Sequence, residues 1–301
     1  MTRYGFLVPA VLAGLLITTL ARAETGGSLP SLKMAPDARS AALGEAGTAG
    51  ARGAMAAFHN PALLSFSDRN QAAFAYTDWL LDLSLQTGAL LLRQSDWTVG
   101  LSFNVFSVPD LEQRMLPSDD PLGLFDAHDL AAGLSLAYQV TDRLSLGATG
   151  RYVYQQIYVE NASGFSGDFG AAWKPRGVDL TVAAALRNVG RMEPLQQERS
   201  PLPTSANLGL AGLILQGPDF ALRGLADGQY LFDDDLRLHA GLEAAWKELF
   251  FLRAGYQTGS ELRSLSGGAG LQWKRFGFDY AYQPLAEDFG SSHRVALSVN
   301  F

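Results

Sequence analysis

The chain of 301 residues contains no cysteine. Neither a disulfide framework nor a lipid-modified N-terminal cysteine is therefore open to it. Charge is sparse: Asp, Glu, Lys and Arg make up 18% of residues, and the net charge of −7 gives no case for nucleic acid as a partner. Low charge together with 48% hydrophobic residues and 32 glycines argues against an intrinsically disordered chain. Histidine is rare, with His59, His128, His239 and His293 spread over different segments. No His-Glu-x-x-His, Gly-x-Ser-x-Gly or Gly-rich phosphate loop occurs. No enzyme, cofactor or metal site is expected. Beyond the first 23 residues no window approaches 18 uninterrupted apolar residues, so any membrane-crossing structure has to be made of strands.

Met1 to Ala23 reads as a secretory signal. Arg3 supplies the positive start, Phe6 to Leu20 is apolar, and Ala21-Arg22-Ala23 is a small-x-small cleavage site. The mature chain is then expected to begin at Glu24. Residues 24–66 differ from everything after them. Between Ala41 and Ala57 they are mostly Ala and Gly, interspersed with Leu43, Glu45, Arg52 and Met55. Asn60-Pro61 marks a turn, because Pro61 pushes Asn60 out of helical geometry. Composition alone allows a loose linker. The alternative is a compact plug of small residues, which a barrel wide enough to leave a channel requires if it is not to leak.

From Gln71 onward one unit repeats: a run of alternating hydrophobicity closed by turn residues. Fourteen strands are predicted, at Gln71–Asp78, Leu83–Arg93, Trp97–Ser107, Asp126–Val140, Leu144–Glu160, Phe165–Lys174, Asp179–Val189, Thr204–Leu215, Phe220–Leu231, Leu236–Lys247, Phe250–Gln257, Ser264–Lys274, Phe276–Gln283 and Ser291–Phe301. The last shows the pattern well. Val295, Leu297, Val299 and Phe301 share one face and Arg294, Ala296, Ser298 and Asn300 the other, as suits lipid outside and water inside.

Two further signs separate a membrane barrel from a soluble sheet. After the first strand every second connection is short, whereas Val108–Phe125 and Gly190–Pro203 are long; outer-membrane barrels pair short periplasmic turns with long external loops. Trp97, Trp173, Trp246 and Trp273 also fall at one end of their strands, level with Phe250, Phe276 and Phe301. Tyr154, Tyr158, Tyr230, Tyr256 and Tyr282 lie towards the other end. Aromatic belts at two interfaces produce this sorting. The predicted fold is an all-β, 14-stranded antiparallel transmembrane barrel (residues 67–301) with a hatch segment (24–66) in its lumen. Its expected location is the outer membrane, in contact with lipid, with insertion by the barrel assembly machinery through the strand ending at Phe301.

The stretch Asp37-Ala38-Arg39-Ser40-Ala41-Ala42-Leu43-Gly44-Glu45-Ala46-Gly47, followed by Asn60-Pro61-Ala62-Leu63-Leu64, resembles the N-terminal signature of the PorV/PorQ family. That family is related to FadL-type channels. Leu252-Arg253-Ala254-Gly255-Tyr256, Ser264-Leu265-Ser266-Gly267-Gly268, Asp279-Tyr280-Ala281-Tyr282-Gln283-Pro284-Leu285 and Gly290-Ser291-Ser292-His293-Arg294 are similar to its C-terminal part. The resemblance implies a fourteen-stranded outer-membrane barrel with a luminal hatch, whose motif residues here are Gly44, Gly47, Asn60, Pro61 and Ala62. It implies one of two roles: passive transport of small hydrophobic molecules, or an accessory barrel of type IX protein secretion. Expected partners are correspondingly hydrophobic small molecules or a secretion-system protein. The external loops are shorter than in FadL channels, which argues against a deep external capture site.

Strand parity turns Arg223, Asp227, Arg237, His239, Glu243, Arg253 and Asp279 inward, since charge facing lipid is costly. These are the candidate ligand or lumen residues. They form either a mutually paired, solvated wall or a strip that anchors the hatch or holds a ligand headgroup, with Arg39, Glu45 and Arg52 as candidate partners in the plug. His239 beside a luminal Ser is the one weak pointer to a hydrolase. Asp233-Asp234-Asp235 reads as a solvated acidic turn, since it lacks the alternating ligand spacing of a calcium loop. Asn161-Ala162-Ser163 fits a glycosylation sequon by chance.

Overall fold

The computed structural model describes residues 29–114, 121–195, 201–232, 236–259, 264–286 and 290–301. The signal segment, residues 24–28 and Asp233-Asp234-Asp235 lie outside the described residues. Fourteen antiparallel strands close into a barrel, each paired with its sequence neighbours and β1 with β14. They are β1 (Gln71–Asp78), β2 (Ser84–Gln94), β3 (Trp97–Gln113), β4 (Gly123–Thr141), β5 (Leu144–Ile157), β6 (Glu160–Trp173), β7 (Leu180–Met192), β8 (Ser205–Gln216), β9 (Phe220–Leu231), β10 (Leu236–Trp246), β11 (Phe250–Gln257), β12 (Leu265–Trp273), β13 (Phe276–Pro284) and β14 (Ser291–Asn300).

Alternation explains the wall. In β4, Ala127, Asp129, Ala131, Ser135 and Ala137 are buried in the lumen, while Leu130, Leu134, Leu136 and Tyr138 face outward and are exposed. Such a surface is stable only in lipid, where the outer face must be apolar and every strand edge must be paired. Trp97, Trp173, Trp246, Trp273, Phe250, Phe276 and Phe301 are all exposed at the rim carrying the short turns. Trp97 packs against Tyr138 there, with tilted rings whose centroids are 4.6 Å apart. At the opposite rim Tyr158, Tyr230, Tyr256 and Tyr282 are exposed.

Two expectations are corrected at that rim. Val108–Phe125 is not one long loop, because β3 and β4 continue pairing past the bulge between Val108 and Leu111 as far as Gln113↔Gly123. Above the lipid both faces of this hairpin meet water, so it loses the one-sided hydrophobic pattern by which its strands were recognised. Glu160 does not end the fifth strand. The chain turns at Tyr158-Val159, with Tyr158 at φ 57, and Glu160 pairs back with Ile157 as the first residue of β6.

Residues 29–66 fill the lumen. The helix α1 (Ala38–Ala42) is capped by Asp37, whose side chain accepts the Ser40 N–H at 2.9 Å, and it lies against β11 to β14. Gly44 ends it at φ 65, where Glu45 N donates to Ser40 O at 2.9 Å. Tight 3-10 turns follow at Gly53–Phe58, against β1 to β3, and at Pro61–Phe66, against β3 to β6. The interior is largely alanine: Ala38, Ala41, Ala42, Ala54, Ala56, Ala57 and Ala62 of the segment meet Ala75, Ala137, Ala172 and Ala281 of the wall. Small residues on both sides let backbone approach backbone.

Candidate functional site

The Asn60-Pro61-Ala62 motif is seated on the wall atom by atom. Asn60 is extended at φ −156, as expected ahead of proline, and is fully buried. Its Oδ1 accepts the Ala62 N–H at 3.0 Å, and its Nδ2 donates to Thr48 O, Ala171 O and Ala184 O at 3.1 to 3.3 Å. One amide thus caps a turn and ties two parts of the plug to β6 and β7. Ala62 O accepts from Ser145 Oγ of β5 at 2.7 Å, and Ser65 Oγ meets Ser145 Oγ at 2.6 Å. The wall makes room with glycine: a Cβ on Gly147 would lie 2.5 Å from Ala62 N and Pro61 C. Gly241 and Gly255 do the same for Leu43 and Gly44. Gly47 leaves the space that the His59 ring occupies.

The candidate charged residues fall into three groups. Glu243 of β10 is the centre of the first. Arg39 of α1 holds it with two bonds, Nε to Oε2 at 2.9 Å and Nη2 to Oε1 at 3.1 Å. Arg253 Nε, opposite it on β11, reaches Oε2 at 2.8 Å, and Arg52 Nη1 lies 3.3 Å from Oε1. Arg253 also donates to Asp279 of β13 at 2.6 Å. Three guanidiniums therefore converge on one carboxylate that is only 1% exposed. Burial works against the charge on Arg39, but Glu243 outweighs it and holds that guanidinium above its ordinary range. Arg39 also donates to Gly50 O at 2.8 Å, which pins the plug to itself.

Asp227 and His239, direct partners across β9 and β10, form the second group. Asp227 Oδ2 accepts the Thr48 N–H at 2.7 Å, and the His239 Nδ1–H donates to Gly44 O at 2.8 Å. His239 therefore holds plug backbone through its Nδ1. Arg237 lines the same narrow gap, of about 30 Å³, with Glu45, His59 and Arg187. Burial, reinforced by Arg187, pushes the His59 imidazole down to about 4. Arg223 stands apart near the short-turn rim, paired with Asp179 at 2.6 Å, both partly exposed.

One group escaped the sequence reading. Arg151 of β5 bonds Asp168 of β6 at 2.7 Å and Asn188 Oδ1 of β7 at 2.9 Å. Asn188, at φ 56, sits in the bulge where β7 slips against β6, and its N–H donates to Asp168. Parity alone places Arg151 and Asp168 inward, so the signal was present; the bulge that brings Asn188 to them was not. Among the described residues the wall carries four register irregularities, between Val108 and Leu111, Gln139 and Thr141, Gly167 and Phe169, and Leu213 and Leu215. Pairing of β2 with β3 runs unbroken from Ser84↔Ser107 to Gln94↔Trp97.

Below the plug, at the short-turn rim, lies a cavity of about 780 Å³. Arg39, Arg52, Lys174, Arg223, Glu243, Leu63, Leu225 and Phe251 are among its lining.

A family model described as "Type IX secretion system protein PorV" matches residues 19–182, more than half of the chain. The chain belongs to the PorV family. It is an outer-membrane barrel and not an enzyme. No curated protein matches it. Among solved structures it is similar to the toluene transporter TbuX of Ralstonia pickettii, with 15% identity over 88% of this chain and 98% of that one and a TM-score of 0.60. It is also similar to the toluene transporter TodX of Pseudomonas putida (14% identity, 87% and 96% coverage, TM-score 0.59). The monoaromatic hydrocarbon channel CymD is comparable (15%, 88% and 96%, TM-score 0.59). At such identities these likenesses bear on the fold alone, which this PorV-family chain shares with hydrocarbon channels.

Proposed function

We propose that this PorV-family barrel is a closed accessory component of an outer-membrane protein-secretion assembly, docking partners without conducting in its resting state. The observation that carries the reading is the seating of the plug. Arg39, Glu243, Arg253 and Asp279 latch it, Asn60 and Ala62 knit it to β5, β6 and β7, and the wall glycines Gly147, Gly241 and Gly255 receive its backbone at close quarters. A plug held by buried charge pairs is expensive to displace, because each partner left behind is an uncompensated ion. In this reading Gly44, Gly47, Asn60, Pro61 and Ala62 seat the hatch, and the leader through Ala23 is removed on export. The purified protein in liposomes is expected to be impermeable to toluene-sized probes while capturing a stable protein partner in detergent. Free uptake by the intact barrel with no partner captured would refute it.

A second reading, passive transport of small hydrophobic molecules, is favoured by the fold shared with toluene transporters. An apolar cluster of Leu29, Leu32, Ala131, Val153 and Leu202 near the long-loop rim also suits it. It requires the plug to move. The same liposomes distinguish the two, because uptake that stops when the plug is cross-linked to the wall belongs to transport.

A further inference from the structure

The short-turn vestibule has a charge balance opposite to that of the chain. Arg39, Arg52, Arg69, Lys174, Arg223 and Lys274 line it against Asp68, Asp179, Glu243 and Glu248, a cationic excess in a protein of net charge −7. Several of these charges are already engaged in ion pairs: Arg39 is bound to Glu243 and Arg223 to Asp179. Arg52 differs. Its side chain is 50% exposed, and its ion-pair contact, at 3.3 Å, is with a carboxylate that Arg39 and Arg253 already bind more closely. Lys174, with its ammonium 4.0 Å from the centroid of Phe66, lines the same cavity.

We propose that Arg52 and Lys174 form a binding site for a carboxylate of an acidic peptide, entering the vestibule from the periplasmic rim. A guanidinium presents paired donors that match a carboxylate's two oxygens, and the Lys174 ammonium adds a second positive charge to the same cavity wall. Leu63, Leu225 and Phe251 supply an apolar floor for the peptide's non-polar atoms. The volume of about 780 Å³ suits a short segment, falling within the range of roughly 300–1,000 Å³ typical of ligand sites. The plug closes the cavity above, so an occupant enters and leaves by one mouth, which marks it as a ligand and not a permeant. Repulsion from Arg39 lowers the Arg52 guanidinium to about 10, and an incoming anion offsets that repulsion.

The test uses the full-length protein in detergent micelles and a fluorescein-labelled tetraglutamate peptide, read by anisotropy. The wild type is expected to bind the peptide, to bind it less as salt rises, and to ignore a tetralysine peptide. Arg52→Gln and Lys174→Gln are each expected to weaken binding about tenfold, the equivalent of roughly 1.4 kcal/mol. Arg176→Gln, exposed at the same rim but outside the cavity lining, should leave it unchanged. Heat-modifiable gel mobility establishes that each variant keeps its barrel. No binding by the wild type, or equal binding by Arg52→Gln and Lys174→Gln, overturns the proposal. Succinate binding at the same residues without the peptide overturns its polypeptide half. The identity of the peptide's owner rests on the accessory-barrel reading, but the site does not: a barrel that binds the peptide yet captures no secretion partner sinks that reading alone.

Discussion

Glu243→Gln is the sharpest perturbation of the latch. The substitution keeps shape and volume, removes the one negative charge shared by Arg39, Arg52 and Arg253, and turns an acceptor towards guanidinium donors into an amide N–H₂. Arg39 and Arg253 are 13% and 3% exposed, so water cannot fully replace the lost partner. Breaking a buried pair in this way costs about 3–5 kcal/mol. The wall does not need this bond, since β10 remains paired along its length with β9 and β11. The cost therefore falls on the seating of the plug, and opening should rise by roughly two to three and a half orders of magnitude at about 1.4 kcal/mol per decade. Hydrogen exchange followed by mass spectrometry in micelles should show faster exchange in residues 38–58 with the barrel strands unchanged. Arg223→Ala is the control, because its pair with Asp179 is partly exposed and should contribute about 1 kcal/mol or less. Unchanged plug protection in Glu243→Gln, or a loss spread evenly over the strands, would refute the latch.

Four other outcomes follow from the same geometry. Gly147→Ala should lower stability by about 1–3 kcal/mol because its methyl meets Ala62 and Pro61, whereas Gly150→Ala on the outer face of β5, with nothing within 4 Å, should be tolerated; thermal gel shifts compare them. His59 is held neutral in the folded state, with its value pushed down to about 4 against 6.5 unfolded. Its contribution is therefore intact above pH 6.5 and is lost as pH falls towards 4, up to about 3 kcal/mol, so plug protection factors, corrected for the intrinsic exchange rate at each pH, should fall from pH 7 to 5 and do so less in His59→Gln. Since the chain has no cysteine, Ser65→Cys/Ser145→Cys adds a single cross-link between positions whose Oγ atoms are 2.6 Å apart; oxidation should leave partner capture intact and abolish any uptake that depends on plug movement, with recovery on reduction. N-terminal sequencing of the exported protein should begin at Glu24.

The wall was legible because its physics is local. Period-two alternation reports the face of each residue without knowledge of its neighbours, and lipid outside with water inside makes that alternation strong. Strands β1, β9 and β11 have the predicted limits, and the Trp and Phe belt lies on one rim. Legibility failed above the lipid, where the β3–β4 hairpin has water on both sides and the pattern no longer carries a face.

For the candidate site, parity was enough to turn Glu243, Arg253, Asp227, His239 and Asp279 inward. It could not choose between a solvated wall and an anchor for the plug. Arg39 and Glu243 are 204 residues apart in the chain, and no local pattern couples them. The tertiary fold decided that Arg39, with Arg52 beside it, would reach Glu243, that His239 would be spent on Gly44, and that a positive-φ bulge would bring Asn188 to Arg151 and Asp168. By itself the sequence determined a barrel, its two rims and the inward side of each strand, because each depends on a residue and its near neighbours. Whether the lumen is open or filled depends on close approach between distant backbones, and that only the folded chain contains.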